Sequence, residues 1–257
     1  MIQKRQRLIL EWLNREGSLS AADLKQRLGV SLMTVWRDLS DLESQGKLRR
    51  VHGGAVPTQG GQEEIPQPDI FKILTSDPQY HLKQAVARYA AEQLVEDGDK
   101  ITLEAGITTS LVVPHLQQHK LTVLTNGLYS ASLAATRTQE LTLLCSGGVL
   151  IDSGAFIGPQ AEAFFQSMRV DKAFFGASGL TLEDGVTDPT PLYVPLKNAM
   201  KNNAQQIILL LNSSKLNQRS LVNVMHLGEV DILVTNADAP PELISRLRQA
   251  GVDVRLV

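Results

Sequence analysis

Seven short apolar runs between residue 100 and the C-terminus constrain the fold of this chain more than any other feature. Each run ends in small polar residues, and helical segments such as PPELISRLRQAG separate several of them. Continuously apolar strands are typical of parallel sheets that helices cover on both faces. The pattern therefore predicts an α/β domain with a mainly parallel sheet. The predicted strands lie in KITLEAG, LTVLTNG, LTLLCSGG, VDKAFFGASG, QQIILLLNSSK, VDILVTN and GVDVRLV.

A composition break divides the chain before this domain. The stretch HGGAVPTQGGQEEIPQPD, residues 52–69, is rich in Gly, Pro, Gln and Glu and has no apolar period, which is typical of a linker. We therefore predict a small domain at residues 1–56, a linker at 57–74 and a larger domain at 75–257. The larger domain is expected to open with a helix that has Asp77 as its N-cap and Pro78 as its first residue.

Composition limits the class of protein. No apolar run approaches the ~20 residues that span a bilayer, and the N-terminal MIQKRQR lacks the apolar region of a secretory signal. The single cysteine, Cys145, leaves no internal disulfide and fits a reducing compartment. It is predicted to be a buried, unreactive thiol. We expect a cytoplasmic protein without a membrane partner, metal site or cofactor.

The net charge of −2 conceals an uneven distribution. Residues 1–56 hold 10 Lys and Arg against 6 Asp and Glu, whereas the other residues hold 15 against 21. A basic first domain on an acidic second one favours a polyanionic partner for the first domain alone.

The first 56 residues have the pattern of a winged helix-turn-helix. The segment KRQRLILEWLNREG predicts a helix that ends at Gly17. In SLSAADLKQRLG, Ser20 is the expected N-cap of a second helix that ends at Gly29. Ser31 is the N-cap of a third helix that runs to Gly46, and KLRRVHGGAV predicts a hairpin.

The third helix is predicted to have a buried face and a DNA-binding face. Val35, Leu39 and Leu42 form a stripe that must pack on the first two helices, with Leu32 beside it. The opposite face suits the major groove, where Arg pairs with guanine and Met or Thr contacts thymine methyls. This face carries Met33, Thr34, Trp36, Arg37 and Ser40.

Two questions stay open at this point. Trp36 either packs beside Leu32 against the domain edge or makes an apolar contact with a thymine methyl or deoxyribose. The domain either binds DNA, or is a solvated structural or protein-binding module. If it binds DNA, the hairpin residues Lys47, Arg49, Arg50 and His52 are expected to contact phosphates or the minor groove.

The run LSAADLKQRLGVSLMTVWRDLSDLESQGKLRRVHGGA resembles the DNA-binding domain of the DeoR family of bacterial sugar-metabolism regulators. The family pattern is S-x-M-T-[IV]-R-R-D-L-x-x-L-E-x-x-G-x-L-x-R-x-H-G-G-A. The resemblance implies that Ser31 and Gly53 belong to the DNA-binding segment, together with the residues named above. Trp36 departs from the pattern, since the family usually has a second Arg there.

Five strand ends carry small polar residues. In open α/β sheets, ligands bind outside the carboxyl ends of strands. The segment GITTS opens a helix, so its N–H groups are candidates for holding a phosphate, with Lys197 and Lys215 supplying positive charge. The five ends therefore predict a small anionic ligand. They are EAGITTS with Glu104, TNG with Thr125, SGG, GASG with Gly176, and NSSK with Ser214.

These segments are also similar to the effector domain of the DeoR family, in the runs DGDKITLEAGITT, LTNG, SGG, GASGL, GVTDP, KNAM and NSSKLN. The resemblance implies a fold related to ribose-5-phosphate isomerases and CoA transferases. It also implies binding of a phosphorylated sugar or sugar derivative that modulates DNA binding. By motif position, the implied ligand contacts are Gly106, Thr108, Thr109, Asn126, Gly147, Gly148, Ser178, Lys197 and Lys215.

Several positions depart from the family pattern. Glu104 replaces an Asp, Ile107 replaces a Thr and Asn212 replaces an Asp. Pro195 is expected to delay or kink the helix that carries Lys197. The acidic residues of EDGVTDP, Asp184 and Asp188, are predicted to form turns.

Together these features predict a DNA-binding transcriptional regulator and not an enzyme. The expected protein represses a carbohydrate operon, binds double-stranded operator DNA as a homodimer or homotetramer, and responds to a sugar phosphate. It would be cytoplasmic and nucleoid-associated when bound to DNA. The alternative is a sugar-phosphate isomerase or transferase-like enzyme fused to a DNA-binding domain, with Glu104 as its base.

Overall fold

The computed structural model describes residues 2–45, 47–51, 53–57, 70–136, 140–151 and 153–257. The chain forms two compact units, Met1–Asp69 and Ile70–Val257, called here the head and the body. The helices of the described residues are α1 (Ile2–Glu16), α2 (Ala21–Leu28), α3 (Leu32–Ser44), α4 (Ile70–Thr75), α5 (Tyr80–Gln93), α6 (Ile107–Ser110), α7 (Leu128–Ala135), α8 (Pro159–Gln166), α9 (Tyr193–Lys201) and α10 (Pro241–Gln249).

The strands of the described residues are β1 (Leu19–Ser20), β2 (Leu48–Val51), β3 (Gly54–Pro57), β4 (Lys100–Leu103), β5 (Leu121–Thr125), β6 (Leu141–Cys145), β7 (Val149–Leu150), β8 (Phe156–Ile157), β9 (Val170–Phe175), β10 (Gly179–Thr181), β11 (Gly185–Asp188), β12 (Ala204–Leu210), β13 (Val222–Met225), β14 (Ile232–Thr235) and β15 (Asp253–Leu256). Gly46, His52 and residues 58–69 of the predicted linker lie outside the described residues. Residues 70–74, also predicted as linker, instead belong to α4.

Helix α2 begins and ends, and helix α3 begins, where the capping residues predict. Ser20 Oγ accepts a hydrogen bond from the Asp23 N–H at 3.0 Å at the start of α2. Gly29 ends α2 with a φ of 65°, in the left-handed region that favours glycine. Ser31 Oγ accepts from the Thr34 N–H at 3.2 Å, so α3 begins directly after the turn.

The predicted stripe of α3 forms much of the head core. Val35, Leu39 and Leu42 are buried together with residues of α1 and α2. Leu32, predicted to lie beside the stripe, is 44% exposed. It is the first residue of α3, and helical side chains point back toward the N-terminus, where α3 has no preceding turn. Trp36 is half-buried and packs against the core, in agreement with the packing interpretation.

The predicted hairpin is present and gains a third strand. Strands β2 and β3 pair antiparallel, and β1 pairs with the other edge of β3. Gly54 is required at this junction, because a Cβ there would lie 2.1 Å from the carbonyl oxygen of Leu19. The two-residue β1 is too short to produce an apolar alternation in the sequence.

A buried ion pair joins α1 to α3. Arg5 donates through Nε and Nη2 to the two carboxylate oxygens of Asp38, with an Nη2–Oδ1 distance of 2.9 Å. Asp38 is buried, and Arg5 reaches the surface only in part. Bidentate geometry of this kind fixes the relative orientation of the two helices. No pattern in the sequence singled out this pair.

The body is built on a parallel sheet, as predicted. Each of the seven predicted runs contains one of its strands, and within residues 100–256 the strand order is β15-β14-β12-β9-β4-β5-β6. All neighbouring pairs are parallel. Successive residues of β9 face opposite sides of the sheet: Phe174 belongs to one buried cluster and Phe175 to the other. The predicted fold class is therefore confirmed.

Two local predictions in the body are wrong. Cys145 is exposed, because β6 is an edge strand and is only partly covered. The N-cap of α5 is Gln79, and Asp77 lies in the preceding turn, where its carboxylate accepts from the Gln79 N–H and pairs with Lys83. Pro195 lies in the first turn of α9, where its missing N–H removes no intrahelical bond.

Replacement of Asp38 by Asn should destabilise the head by about 2 kcal/mol, because it leaves the Arg5 guanidinium without its counter-charge. Both tryptophans of the chain, Trp12 and Trp36, lie in the head, so tryptophan fluorescence during urea unfolding reports on this domain. Asp41→Asn, at an exposed position of the same helix, is the matched control. Equal midpoints for the two variants would contradict a stabilising role for the pair.

Candidate DNA-binding face and effector pocket

The outer face of α3 carries the predicted base-contacting residues. Met33, Arg37 and Ser40 are exposed, and Thr34 is half-buried beside them. The Thr34 hydroxyl lies 2.8 Å from Ser31 Oγ, so the two hydroxyls satisfy each other at the helix start. Arg37 is exposed and forms no ion pair with another described residue.

The wing adds cations beside this face. Lys47 and Arg49 are exposed, and the Lys47 ammonium donates to Gln45 Oε1 at 2.9 Å. Arg50 differs, because Glu43 accepts both its backbone N–H and its Nε. These bonds lower the pKa of Glu43 and keep it charged. Arg50 therefore braces the wing against α3, and Lys47 and Arg49 are the better candidates for phosphate contacts.

A cavity of about 450 Å³ opens at the carboxyl ends of the parallel strands, where the sequence predicts the effector site. Eight of the predicted effector contacts line it, which are Glu104, Gly106, Thr108, Thr109, Gly176, Ser178, Lys197 and Lys215. The others, Thr125, Asn126, Gly147, Gly148 and Ser214, are not among its lining residues.

Two of these other residues support the pocket from behind. Asn126 Oδ1 accepts from the Ala105 N–H at 2.8 Å, and its Nδ2 donates to the Phe156 carbonyl at 3.1 Å. The Thr125 hydroxyl donates to the Leu103 carbonyl at 2.6 Å. These side chains hold the loop after β4 in place. Thr125 and Asn126 therefore support the pocket residues and do not line the pocket themselves.

The inner end of the pocket holds three buried charges, called here the ion triad of Glu104, Lys197 and Asp188. Lys197 Nζ lies 3.0 Å from Glu104 Oε1 and 2.7 Å from Asp188 Oδ2. The Asp188 contact is close enough for an ion pair. Lys197 also donates to the Gly176 carbonyl at 2.7 Å, and the Gly176 N–H donates to Glu104 Oε2 at 3.0 Å.

Burial and mutual attraction set the charges of the triad. Burial raises the pKa of the Glu104 carboxyl to about 7. The positive charge of Lys197 lowers this pKa by a smaller amount, and the negative charge of Asp188 raises it further. Burial opposes the Lys197 ammonium as well, but the two carboxylates outweigh it and raise the pKa of Lys197. Lys197 is therefore a stable cation shared by two acids, and Glu104 is the member that titrates near neutral pH.

The other end of the pocket is basic. Lys83 pairs with Asp77 at 2.6 Å, whereas Lys215 is half-buried and forms no ion pair within the described residues. Asn212 is neutral and donates to Gln79 Oε1 and Ser214 Oγ, each at 2.8 Å. The charge of Lys215 is thus available to an anionic group of a ligand.

Several residues of this site were not predicted from the sequence. Asp188 was predicted as a turn former, but it ends β11 and belongs to the ion triad. Its place in GVTDP, a segment that matches the family pattern, was the available signal. Tyr129, Ser153 and Tyr193 also line the pocket, and the Ser153 and Tyr193 hydroxyls lie 3.0 Å apart. No sequence signal singled out these three.

Metal-binding and membrane-spanning features are absent from the part of the chain that the structure describes. No cluster of three or more His, Cys, Asp or Glu side chains is placed there to hold a metal ion. No helix of these residues is both long and apolar enough to cross a membrane.

Comparison with protein families agrees with the division of the chain into head and body. The model of the DeoR-like helix-turn-helix domain matches residues 5–59, and the model of the DeoR C terminal sensor domain matches residues 78–237. The chain belongs to the DeoR family. The motif resemblance is thereby confirmed for both domains.

Curated DeoR-family relatives align with the chain over nearly its whole length. The uncharacterized HTH-type transcriptional regulator YulB of Bacillus subtilis is 30% identical over 260 residues, covering 100% of this chain and 97% of the relative. The putative aga operon transcriptional repressor of Escherichia coli is 31% identical over 257 residues, covering 99% and 93%. The transcriptional repressor AccR of Agrobacterium fabrum is 31% identical over 239 residues, covering 91% and 90%.

Solved structures are more distant. The sorbitol operon regulator SorC of Klebsiella pneumoniae shares 14% identity with a TM-score of 0.43, covering 96% of this chain and 97% of that one. Ribose 5-phosphate isomerase of Plasmodium falciparum shares 16% with a TM-score of 0.39, covering 53% and 52%. Both scores are below 0.5, so neither similarity carries an argument about fold or function.

The stability of the body of this DeoR-family chain should depend on pH through Glu104. Between about pH 4.5 and 7 the folded carboxyl keeps its proton and the unfolded one does not, so stability falls as the pH rises through this window. Glu104→Gln cannot titrate. The melting temperature of Glu104→Gln minus that of the wild type, both followed by circular dichroism, should therefore increase as the pH rises from 4.5 to 7. Glu183→Gln, at an exposed turn, is the control and should show no such increase. A difference in melting temperature between Glu104→Gln and the wild type that stays constant from pH 4.5 to 7 would contradict the assignment of Glu104 as the titrating group.

Proposed function

We propose that this DeoR-family protein is a sequence-specific transcriptional repressor of a carbohydrate-metabolism operon, and that a phosphorylated sugar or related metabolite modulates its DNA binding. The observation that carries the proposal is the presence, on one chain, of an exposed helix-turn-helix face and of a pocket in the body that holds Lys215, which has no ion pair among the described residues. The relatives named as a putative aga operon transcriptional repressor and as the transcriptional repressor AccR support the sign of regulation.

The head is suited to operator DNA in chemistry as well as shape. Arg37 is placed on the exposed face of α3, where a guanidinium can pair with the two acceptor atoms of guanine. Lys47 and Arg49 on the wing supply contacts to phosphate, which position the domain without reading sequence. The excess of basic residues in the first 56 residues favours this partner.

The pocket is suited to a small polyhydroxylated anion. Its volume falls within the ~300–1,000 Å³ of small-molecule sites. Lys215 offers a charge for a phosphate, while the carboxylates of the ion triad and the Thr108 hydroxyl offer partners for sugar hydroxyls. The effector changes DNA binding only if it prefers one arrangement of the protein over another.

The proposed assembly is a homodimer or homotetramer that binds operator half-sites in the cytoplasm and stays with the nucleoid while bound. Helix-turn-helix dimers contact half-sites one helical turn or a multiple of it apart, so operator binding follows from the spacing of two heads. The isomerase-like alternative has less support. The relatives are named as transcriptional regulators or repressors and not as enzymes.

Specific DNA binding can be tested on a duplex selected from a random library. By fluorescence anisotropy at about 150 mM salt, binding to this duplex should exceed binding to a scrambled duplex by about a thousandfold. Arg37→Ala should lower that ratio by about tenfold, because a base contact is lost. Arg49→Ala should weaken binding to both duplexes alike and reduce the salt slope by about one. Equal affinity of the wild type for the two duplexes would refute sequence-specific binding.

Effector binding can be tested by thermal shift with a panel of sugar phosphates and the matching free sugars. A ligand of the native state raises the melting temperature, and a phosphorylated member should do so more than its free sugar. Lys215→Met should abolish this difference. Lys100→Met, at the opposite end of β4 and exposed, should retain it. Stabilisation by phosphorylated sugars that is unchanged in Lys215→Met would exclude the proposed phosphate contact.

A further inference from the structure

The first turn of α3 exposes two large apolar side chains in succession. Leu32 is 44% exposed and Met33 is 76% exposed. Most of α3 is otherwise divided in the usual way, with Val35, Leu39 and Leu42 inside. The two exposed side chains are therefore an exception to the pattern of an amphipathic helix.

The polar groups next to these side chains are already occupied. Ser31 and Thr34 use their hydroxyls on each other, and Ser31 also caps the helix. Thr34 is thus less available to a base than the sequence predicted. What the N-terminal end of α3 presents outward is an apolar surface, followed one turn later by the Arg37 guanidinium, since Met33 and Arg37 are four residues apart on one face.

The thymine C5-methyl is the base-edge group of the major groove to which apolar side chains characteristically bind. The N-terminal residues of a recognition helix are those that approach base edges in helix-turn-helix domains. Duplex DNA also fits the charge of the surroundings, because Arg37, Lys47 and Arg49 lie on the exposed surface of the same domain. An apolar pair in this position therefore matches thymine better than any other base.

We propose that Leu32 and Met33 are specificity-determining residues that contact the methyl groups of thymines in the operator, next to the base pair contacted by Arg37. This inference rests on the proposed function of the head. It assigns a role to Leu32, whose exposure the sequence did not predict.

The helix geometry sets the expected spacing. Met33 and Leu32 precede Arg37 by four and five residues, which is about 6 and 7.5 Å along a helix axis, and base pairs are about 3.4 Å apart. The thymines contacted by Leu32 and Met33 should therefore lie within about two base pairs of the guanine contacted by Arg37.

The test replaces single thymines of the selected duplex by deoxyuracil, which removes the methyl group and keeps the base pair. At one or two positions in each half-site, wild-type binding should weaken about fourfold per methyl, the factor expected for burying one methyl-sized group. Leu32→Ala and Met33→Ala should each lose the sensitivity at one of these positions. Leu221→Ala, which truncates an exposed leucine of the body, should keep all of it.

Each result has a defined meaning. Because both side chains are exposed, the variants should unfold at the wild-type urea midpoint when tryptophan fluorescence is followed. If no duplex is enriched, the proposed function of the head fails. If a duplex is enriched but every uracil replacement is neutral, or the sensitivity survives in both variants, the role of Leu32 and Met33 alone is overturned. The role of Leu32 and Met33 is also overturned if Leu32→Ala changes the oligomeric state of the protein and leaves methyl sensitivity intact. In that case another protein surface would cover the two exposed side chains.

Discussion

The buried ammonium of Lys197 is the interaction on which the body pocket depends. It enters from α9 and meets Glu104 after β4, the Gly176 carbonyl after β9 and Asp188 at the end of β11. Segments far apart in the sequence are therefore held together at one edge of the sheet. Removing one partner of a buried ion pair leaves an uncompensated buried charge, which destabilises the fold. The pocket therefore needs the lysine and both acids.

The head uses the same principle for a different purpose. Arg5 and Asp38 tie α1 to α3 and fix the helix whose outer face carries Met33 and Arg37. Glu43 holds Arg50 and braces the wing against that helix. In both units, buried or braced ion pairs set the orientation of the elements, which leaves other side chains free for ligands.

The parallel sheet was predictable because its strands are apolar throughout, and parallel strands place all of their carboxyl ends at one edge. The same property made Glu104 and Lys215 predictable as pocket residues, since both follow such strands. Asp188 was predicted to form a turn, because a four-residue strand before a proline has the pattern of a turn, and only its place in the family segment GVTDP pointed to the pocket. Cys145 was misplaced because the position of a strand within the sheet, central or edge, depends on strand order. The exposure of Leu32 was not predictable, because a helical wheel gives the direction of a side chain but not how far the core extends at the first residue of a helix.

The central claim is that occupancy of the body pocket changes operator binding by the head. The most direct measurement is the affinity for the selected duplex with and without the sugar phosphate that raises the melting temperature most, for the wild type and for Lys215→Met. We predict a change on the order of tenfold for the wild type, a typical coupling between sites, and none for Lys215→Met at the same concentration. An unchanged affinity when the wild-type pocket is saturated would contradict the account.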